Sequence, residues 1–126
     1  MLREKSVLVD FLGDTPLVRI IDFLIEKRPF ETTKEEIIKE TGIARNSLFK
    51  IWEKIERYEI VKLTRKIGKS EMYVLNDENE IVDKLLKLEF DLIRRAMDEA
   101  KEVRISTKAE DYAHEIKHKM ERIKPV

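Results

Sequence analysis

The stretch that most constrains this chain runs from Thr33 to Leu75. It reads as a short helix (Thr33 to Glu40), a tight turn (Thr41-Gly42-Ile43) and a second helix (Ala44 to Tyr58). Two short strands follow, Ile60 to Lys66 and Glu71 to Leu75, with Ile67-Gly68-Lys69-Ser70 between them. The first helix opens on Thr33-Lys34-Glu35-Glu36, a capping box in which Thr33 bonds the third N–H and Glu36 reaches back. Ile37 and Ile38 supply its buried side. Gly42 takes the left-handed conformation after the helix, which a β-carbon disfavours, and Ile43 plugs the turn into the core.

Helix, glycine turn, helix and basic hairpin together make a winged helix-turn-helix, a frame that sets one helix into the DNA major groove. Overall charge does not hint at this, because 26 basic residues balance 26 acidic ones. Binding depends on where charge sits, however. Between Ala44 and Ser70 eight basic residues face only Glu53, Glu56 and Glu59, a local excess of five positive charges. Much of the offset lies in the acidic run Asp77-Glu78-Asn79-Glu80. A basic face on a neutral protein is the footprint of a DNA-binding domain with an acidic back.

The second helix carries the detail. Leu48, Ile51, Trp52 and Ile55 fall on one face at helical spacing and look inward. Opposite them fall Asn46, Lys50, Glu53 and Arg57, flanked by Arg45 and Phe49. On an isolated helix such a stripe is merely a solvated face. Here it follows a helix-turn, its first turn holds Arg45, Asn46 and Ser47, and a basic hairpin comes next. Asn suits bidentate contact with adenine, Arg or Lys with guanine, and Ser with phosphate. Glu53 has the chemistry to accept from cytosine N4, but a surface residue facing Lys50 or Arg57 is the favoured reading. Phe49 either meets a thymine methyl or folds back under the turn.

In the hairpin, Ile60, Lys62, Thr64 and Lys66 alternate with Val61, Leu63 and Arg65, and Met72 and Val74 with Tyr73 and Leu75. Period-two patterning around a glycine signals a hairpin. Its tip, with Arg65, Lys66, Lys69 and Ser70, places polar and basic groups within reach of phosphates or the minor groove.

Upstream, Val7, Leu8, Phe11 and Leu12 suit a short helix from Ser6 to Leu12, with a strand through Val7, Val9 and Phe11 as the alternative. Gly13 ends it. Asp14 or Thr15 caps the next helix, and Pro16 suits its first turn. Leu17, Ile20, Ile21 and Leu24 form one face, with Val18, Phe23 and Ile25 off it, so the helix is buried against more than one neighbour. It stops before Pro29, and Phe30 to Thr32 adds a short edge strand beside the hairpin.

The segments Gly42–Asn76 (GIARNSLFKIWEKIERYEIVKLTRKIGKSEMYVLN) and Phe11–Ile25 (FLGDTPLVRIIDFLI) resemble archaeal winged helix-turn-helix transcriptional regulators, akin to the ArsR-like and MarR-like groups. The resemblance spans roughly Val7 to Leu88 and identifies the fold, leaving the regulated target open. It implies that Arg45, Asn46, Ser47 and Lys50 occupy recognition-helix positions and that Lys66, Gly68 and Lys69 form the wing. The thiol metal-sensor pattern of some ArsR-like proteins is absent.

Asn79 caps a helix expected to reach Val103. Ile81, Leu85, Leu88, Leu92 and Ala96 form one apolar stripe beside a second of Val82, Leu86, Phe90, Ile93 and Met97. So broad an apolar surface exceeds what a small domain covers, so the expectation is a homodimer seam through Leu85, Leu88, Leu92, Ile93, Ala96 and Met97. The opening helix Thr15–Arg28 adds a side contact through Val18 or Ile25. The tail from Arg104 is charged, with a last helix from Lys108 to Ile123. It contains His114-Glu115-Ile116-Lys117-His118, formally the zinc-protease string in which two His bind metal and Glu acts as base. These are the chain's two histidines, Lys117 puts a positive charge between them, and Glu121 lies on the same helix. The string is therefore read as accidental, with no metal, no cofactor and no enzyme activity.

At 126 residues without cysteine, the chain has room for one domain and no disulfide or thiolate chemistry. Apolar runs fall short of the roughly 20 residues a membrane span needs, and no signal-peptide pattern opens the chain, so a cytoplasmic protein without membrane contact is expected. Absence of Gln and 41% charged residues, rich in Lys, Glu and Ile, resemble hyperthermophile composition. The sequence thus predicts a mostly α, α+β fold. Residues 1–78 form the winged helix-turn-helix, 79–103 the dimerisation helix and 104–126 a charged helical tail. The function expected is sequence-specific double-stranded DNA binding as a dimeric transcriptional regulator. The alternative is a protein-interaction winged helix, an antitoxin or partition adaptor, that holds its partner through the tail.

Overall fold

The computed structural model of the chain describes residues 6–102 and 116–117. The architecture is mostly helical: α1 (Val7–Leu12), α2 (Pro16–Lys27), α3 (Lys34–Thr41), α4 (Arg45–Arg57), strands β1 (Val61–Ile67) and β2 (Ser70–Leu75), and α5 (Glu80–Glu102). It forms two compact units, residues 1–87 and 88–126. The His114–His118 string and the expected tail helix lie outside the described residues except for Ile116 and Lys117, which are helical.

Each helix of the first unit starts and stops for a local reason. Ser6 Oγ accepts the Val9 N–H at 3.1 Å, and Thr15 Oγ1 accepts that of Val18 at 3.3 Å, with Pro16 in the first turn. Asp14, the other capping candidate, instead pairs with Arg19 at 2.7 Å. Thr33 Oγ1 accepts the Glu36 N–H at 3.0 Å, the first half of the expected capping box. The reciprocal half is replaced: the Glu36 carboxylate accepts from the Thr32 hydroxyl and from Lys27 Nζ. Thr32, directly before the cap, is held beside β2 and Lys27 comes from α2, so two donors outside the helix, one charged, take the carboxylate from the cap N–H. The Thr32 hydrogen bond, with Lys27 assisting, keeps the Glu36 carboxyl below its ordinary 4.5. Gly42 ends α3 at φ 72° and donates its N–H to Ile38. Arg19 reaches from α2 to the Thr41 carbonyl at 3.2 Å.

The core of this unit gathers Leu8 and Val9 of α1, Ile20, Phe23, Leu24 and Ile25 of α2, and Ile37 of α3. Leu48, Trp52 and Ile55 of α4, Val61 of β1, Tyr73 and Leu75 of β2, and Val82 of α5 complete it, with Ile43 and Ile60 from the connections. Two expectations change here. In α1 the inward residues are Leu8 and Val9, while Phe11 and Leu12 stand exposed, because a helix of under two turns has only one narrow face to bury. Ile25, expected at a subunit contact, is buried within its own chain. Asp22 is buried among these apolar residues with one carboxylate oxygen unpartnered; no apolar-stripe reading of α2 anticipates it.

The sheet is an antiparallel pair, extended by a single bridge from Thr32 to Tyr73. Thr32 and Tyr73 exchange both N–H···O bonds at 2.8 Å, so the edge segment beside β2 reduces to one residue pair. The hairpin does not keep a simple alternation. Leu63 pairs with Tyr73 but Arg65 pairs with Met72, leaving Thr64 as the extra residue of a β-bulge. Beyond it the faces exchange. Lys66 joins the side of Val61, Leu63 and Tyr73, whereas Arg65 and Ile67 join that of Lys62 and Met72. Ile67 and Ser70 form the closing pair, so the loop is only Gly68-Lys69, with Gly68 at φ 61°. A two-residue hairpin favours such a positive angle.

The end of α4 is a Schellman motif. The Ile60 N–H bonds the Ile55 carbonyl and the Glu59 N–H that of Glu56, both at 3.0 Å. Glu59, at φ 55°, occupies the left-handed position that glycine usually takes. It is held there by its carbonyl, which accepts from Asn76 Nδ2 at 3.0 Å and Asn79 Nδ2 at 2.8 Å. A side chain in this region costs roughly 1 kcal/mol. Glu59→Gly is therefore expected to raise stability by about 0.5–1 kcal/mol, read as a higher urea midpoint at unchanged slope. A lower midpoint would show that the Glu59 side chain stabilises more than its strain costs.

Asn79 also caps α5, accepting the Ile81 N–H at 2.8 Å. In the second unit, α5 carries Leu88, Leu92, Ile93 and Met97 half-buried, with Phe90 and Ala96 exposed. No helix among the described residues is long and apolar enough to cross a membrane.

Candidate nucleic-acid interface

Helix α4 is amphipathic because its apolar residues recur at three- and four-residue spacing. Leu48, Trp52 and Ile55 are buried and Ile51 is half-buried. The same spacing leaves Asn46, Lys50, Glu53 and Arg57 exposed as one outward stripe. Ser47 is half-buried beside it. Ala44 precedes the helix without a side-chain cap, so the first-turn N–H groups lack a side-chain acceptor.

Arg45 is the first residue of α4, where the positive end of the helix disfavours a cation. The fold compensates locally. Its Nη1 and Nη2 donate to the two carboxylate oxygens of Glu35 at 2.5 and 2.8 Å, a bidentate pair reaching back to α3. This contact holds the Glu35 carboxyl below its ordinary 4.5 and raises the Arg45 guanidinium further. At the opposite end of α4, where the dipole favours a cation, the Arg57 guanidinium stands 5.4 Å from the Tyr58 ring centroid.

Phe49 is exposed and packs beneath an ammonium. Lys34 Nζ lies 5.6 Å from its ring centroid and 5.7 Å from those of both Trp52 and Tyr73. Trp52 and Tyr73 meet edge to face at 4.9 Å. One lysine from the start of α3 thus bridges α4 and β2 through three rings. Burial pushes the Tyr73 phenol above its ordinary 10, with Glu56 and Glu71 acting in the same direction. No α4 pattern contains this lysine; its role depends on the turn bringing α3 alongside.

In the hairpin, Lys66, Lys69 and Ser70 are exposed at the tip, with Ile67 among them. Arg65, moved to the other face by the bulge, donates from Nε to Glu31 at 3.0 Å. Nearer the base, Lys62 pairs with Glu78 at 3.5 Å. Three of the eight basic residues between Ala44 and Ser70 are thereby matched to carboxylates from outside that segment. Lys50, Lys54, Lys66 and Lys69 carry no carboxylate partner among the described residues. Glu31 and Glu35 are what the charge count missed, because it stopped at the segment's own boundaries. No group of three or more His, Asp or Glu in metal-holding geometry occurs among the described residues.

No family model matches the chain, and none of the curated proteins does. Among solved structures, the chain is similar to the crystal structure of the YusO protein from Bacillus subtilis. The TM-score is 0.53 at 15% sequence identity, over 93% of this chain and 82% of that one. At this identity the likeness concerns the fold: a mostly helical α+β chain with a two-stranded hairpin and a long C-terminal helix.

Proposed function

We propose that the chain is a winged-helix transcriptional regulator that binds double-stranded DNA as a homodimer. Helix α4 enters the major groove and the β1–β2 wing grips the flanking backbone. One observation carries this reading above the rest. The outward stripe of α4 holds Asn46 and Lys50, side chains suited to base edges, and the neighbouring hairpin presents Lys66 and Lys69 unpaired at its tip. That combination supplies direct readout and backbone anchoring on adjacent elements. The likeness in fold to YusO supports the frame. Dimerisation is inferred from α5, whose apolar residues are incompletely covered within one chain. Paired subunits would read an inverted repeat with half-site centres about one helical turn, roughly 34–36 Å, apart.

The test begins with genomic fragments retained by the purified protein, from which a bound site is defined. On that site Asn46→Ala or Lys50→Ala is expected to cost about 1–3 kcal/mol and to relax specificity at a single position. Lys69→Ala is expected to weaken binding to all sequences alike and to make the salt slope shallower. Anisotropy titrations at several salt concentrations separate the two effects. An Asn46 and Lys50 double mutant that binds like the parent would sink the groove assignment. A parent whose weak binding ignores salt would instead favour a protein-interaction module.

A further inference from the structure

The arginines at the edges of the proposed DNA face are both already engaged. Arg45 uses two nitrogens of its guanidinium on Glu35, and Arg65 uses its Nε on Glu31. The two carboxylates flank the start of α3 in sequence, one on the segment that enters it and one in its first turn. Neither pair is needed to bury anything: the Arg45 and Glu35 side chains are 55% and 65% exposed and those of Arg65 and Glu31 60% and 31%. An exposed ion pair contributes little to folding, so a role in stability alone accounts poorly for two such pairs beside the same surface.

From the placement of these pairs we infer, resting on the DNA-binding reading above, that Glu35 and Glu31 withhold Arg45 and Arg65 from the phosphate backbone and so lower affinity for DNA of arbitrary sequence. Sequence-independent affinity grows with each phosphate neutralised, since each releases a condensed counterion. An arginine forked onto a carboxylate offers a phosphate no net charge. Turning it outward leaves that carboxylate unpaired near the phosphates, so either arrangement returns little electrostatic gain. Lys50, Lys54, Lys66 and Lys69 remain without a carboxylate partner among the described residues, and base contacts by Asn46 and Lys50 then form a larger share of the total. Glu35 and Glu31 are thus specificity-determining residues that need not touch DNA. The occupied guanidiniums are removed from a backbone contact that every sequence offers equally.

The experiment measures binding to a labelled duplex of random sequence across a salt series. For each pair it uses the parent, the Glu→Gln variant, the Arg→Ala variant and the double variant. Glu35→Gln and Glu31→Gln are each expected to steepen the slope of log K against log salt by about 0.9, which corresponds to roughly tenfold tighter binding near 50 mM salt. Arg45→Ala and Arg65→Ala alone leave the paired carboxylate bare near the phosphates, so each is expected to weaken binding and not to steepen the slope. In the Gln background the same Ala changes should remove the gain. No change in slope for the Gln variant, or a gain that survives the added Ala change, overturns the inference for that pair. Absence of salt-dependent binding in every protein overturns the DNA-binding reading, and this inference with it.

Discussion

Trp52→Ala is expected to remove about 3–5 kcal/mol of folding stability, the range found when a large aromatic is truncated in a core. Trp52 is 2% exposed and stands where α3, α4 and β2 meet. Its ring meets Tyr73 of β2 edge to face and lies beneath the Lys34 ammonium from α3. Truncation removes the aromatic pair and one wall of the lysine's seat, and leaves a cavity where α4 meets the sheet. Domains of this size have about 5–15 kcal/mol of stability, so the variant should sit near the edge of folding. Trp52 is the only tryptophan, so unfolding in urea is followed by circular dichroism. Trp52→Phe is the companion variant. It keeps a ring and deletes a buried indole N–H that finds no acceptor, so its cost should stay below about 1.5 kcal/mol. An alanine variant within about 1 kcal/mol of the parent would contradict the central place given to this ring.

Leu92→Glu is expected to convert the protein to a monomer and to reduce affinity for its inverted repeat by a factor on the order of 10²–10⁴, although no DNA-facing residue changes. That range is the avidity gained when two linked modules bind together. The proposed seam runs through Leu85, Leu88, Leu92, Ile93 and Met97, all half-buried, with Ala96 exposed beside them. A stable pair buries about 800 Å² per partner, which calls for a long continuous surface. Helix α5, 23 residues long, supplies one. A carboxylate at its middle would be buried without a partner and ionised, a cost the seam cannot absorb. Light scattering on parent and variant without DNA provides the check. A parent that stays monomeric at tens of micromolar rules the seam out.

Sequence periodicity located the helices and the hairpin because each element buries one face. The alternation of Leu48, Trp52 and Ile55 with Asn46, Lys50 and Arg57 is a direct image of that burial. Caps were legible for the same local reason, since Thr33, Thr15 and Asn79 act on N–H groups two or three positions away. What escaped depends on groups outside the element in question. Glu36 leaves its capping box for Thr32 and Lys27, and Arg45 and Arg65 find Glu35 and Glu31 ten and thirty-four residues away. Lys34 finds three rings on two other elements. The bulge escaped for another reason: Thr64 is compatible with either strand face, so the sequence on both sides reads as unbroken alternation. Glu59 is likewise silent, because nothing in its type announces a left-handed angle that two distant asparagines hold in place. Assignment of DNA contacts to Arg45 and Arg65 rested on their charge and position, and their partners were invisible at that level.

The surplus residue at Thr64 also separates two kinds of constraint within one hairpin. On the core side of it, Val61, Tyr73 and Leu75 are buried, and a shift of register there would turn them outward. On the far side, Lys66 to Ser70 answer to no buried neighbour, and their phase is set by the bulge. Substitutions at the tip can therefore accumulate without disturbing the register below. If the tip grips DNA as proposed, changes there alter that grip while the base of the hairpin stays fixed.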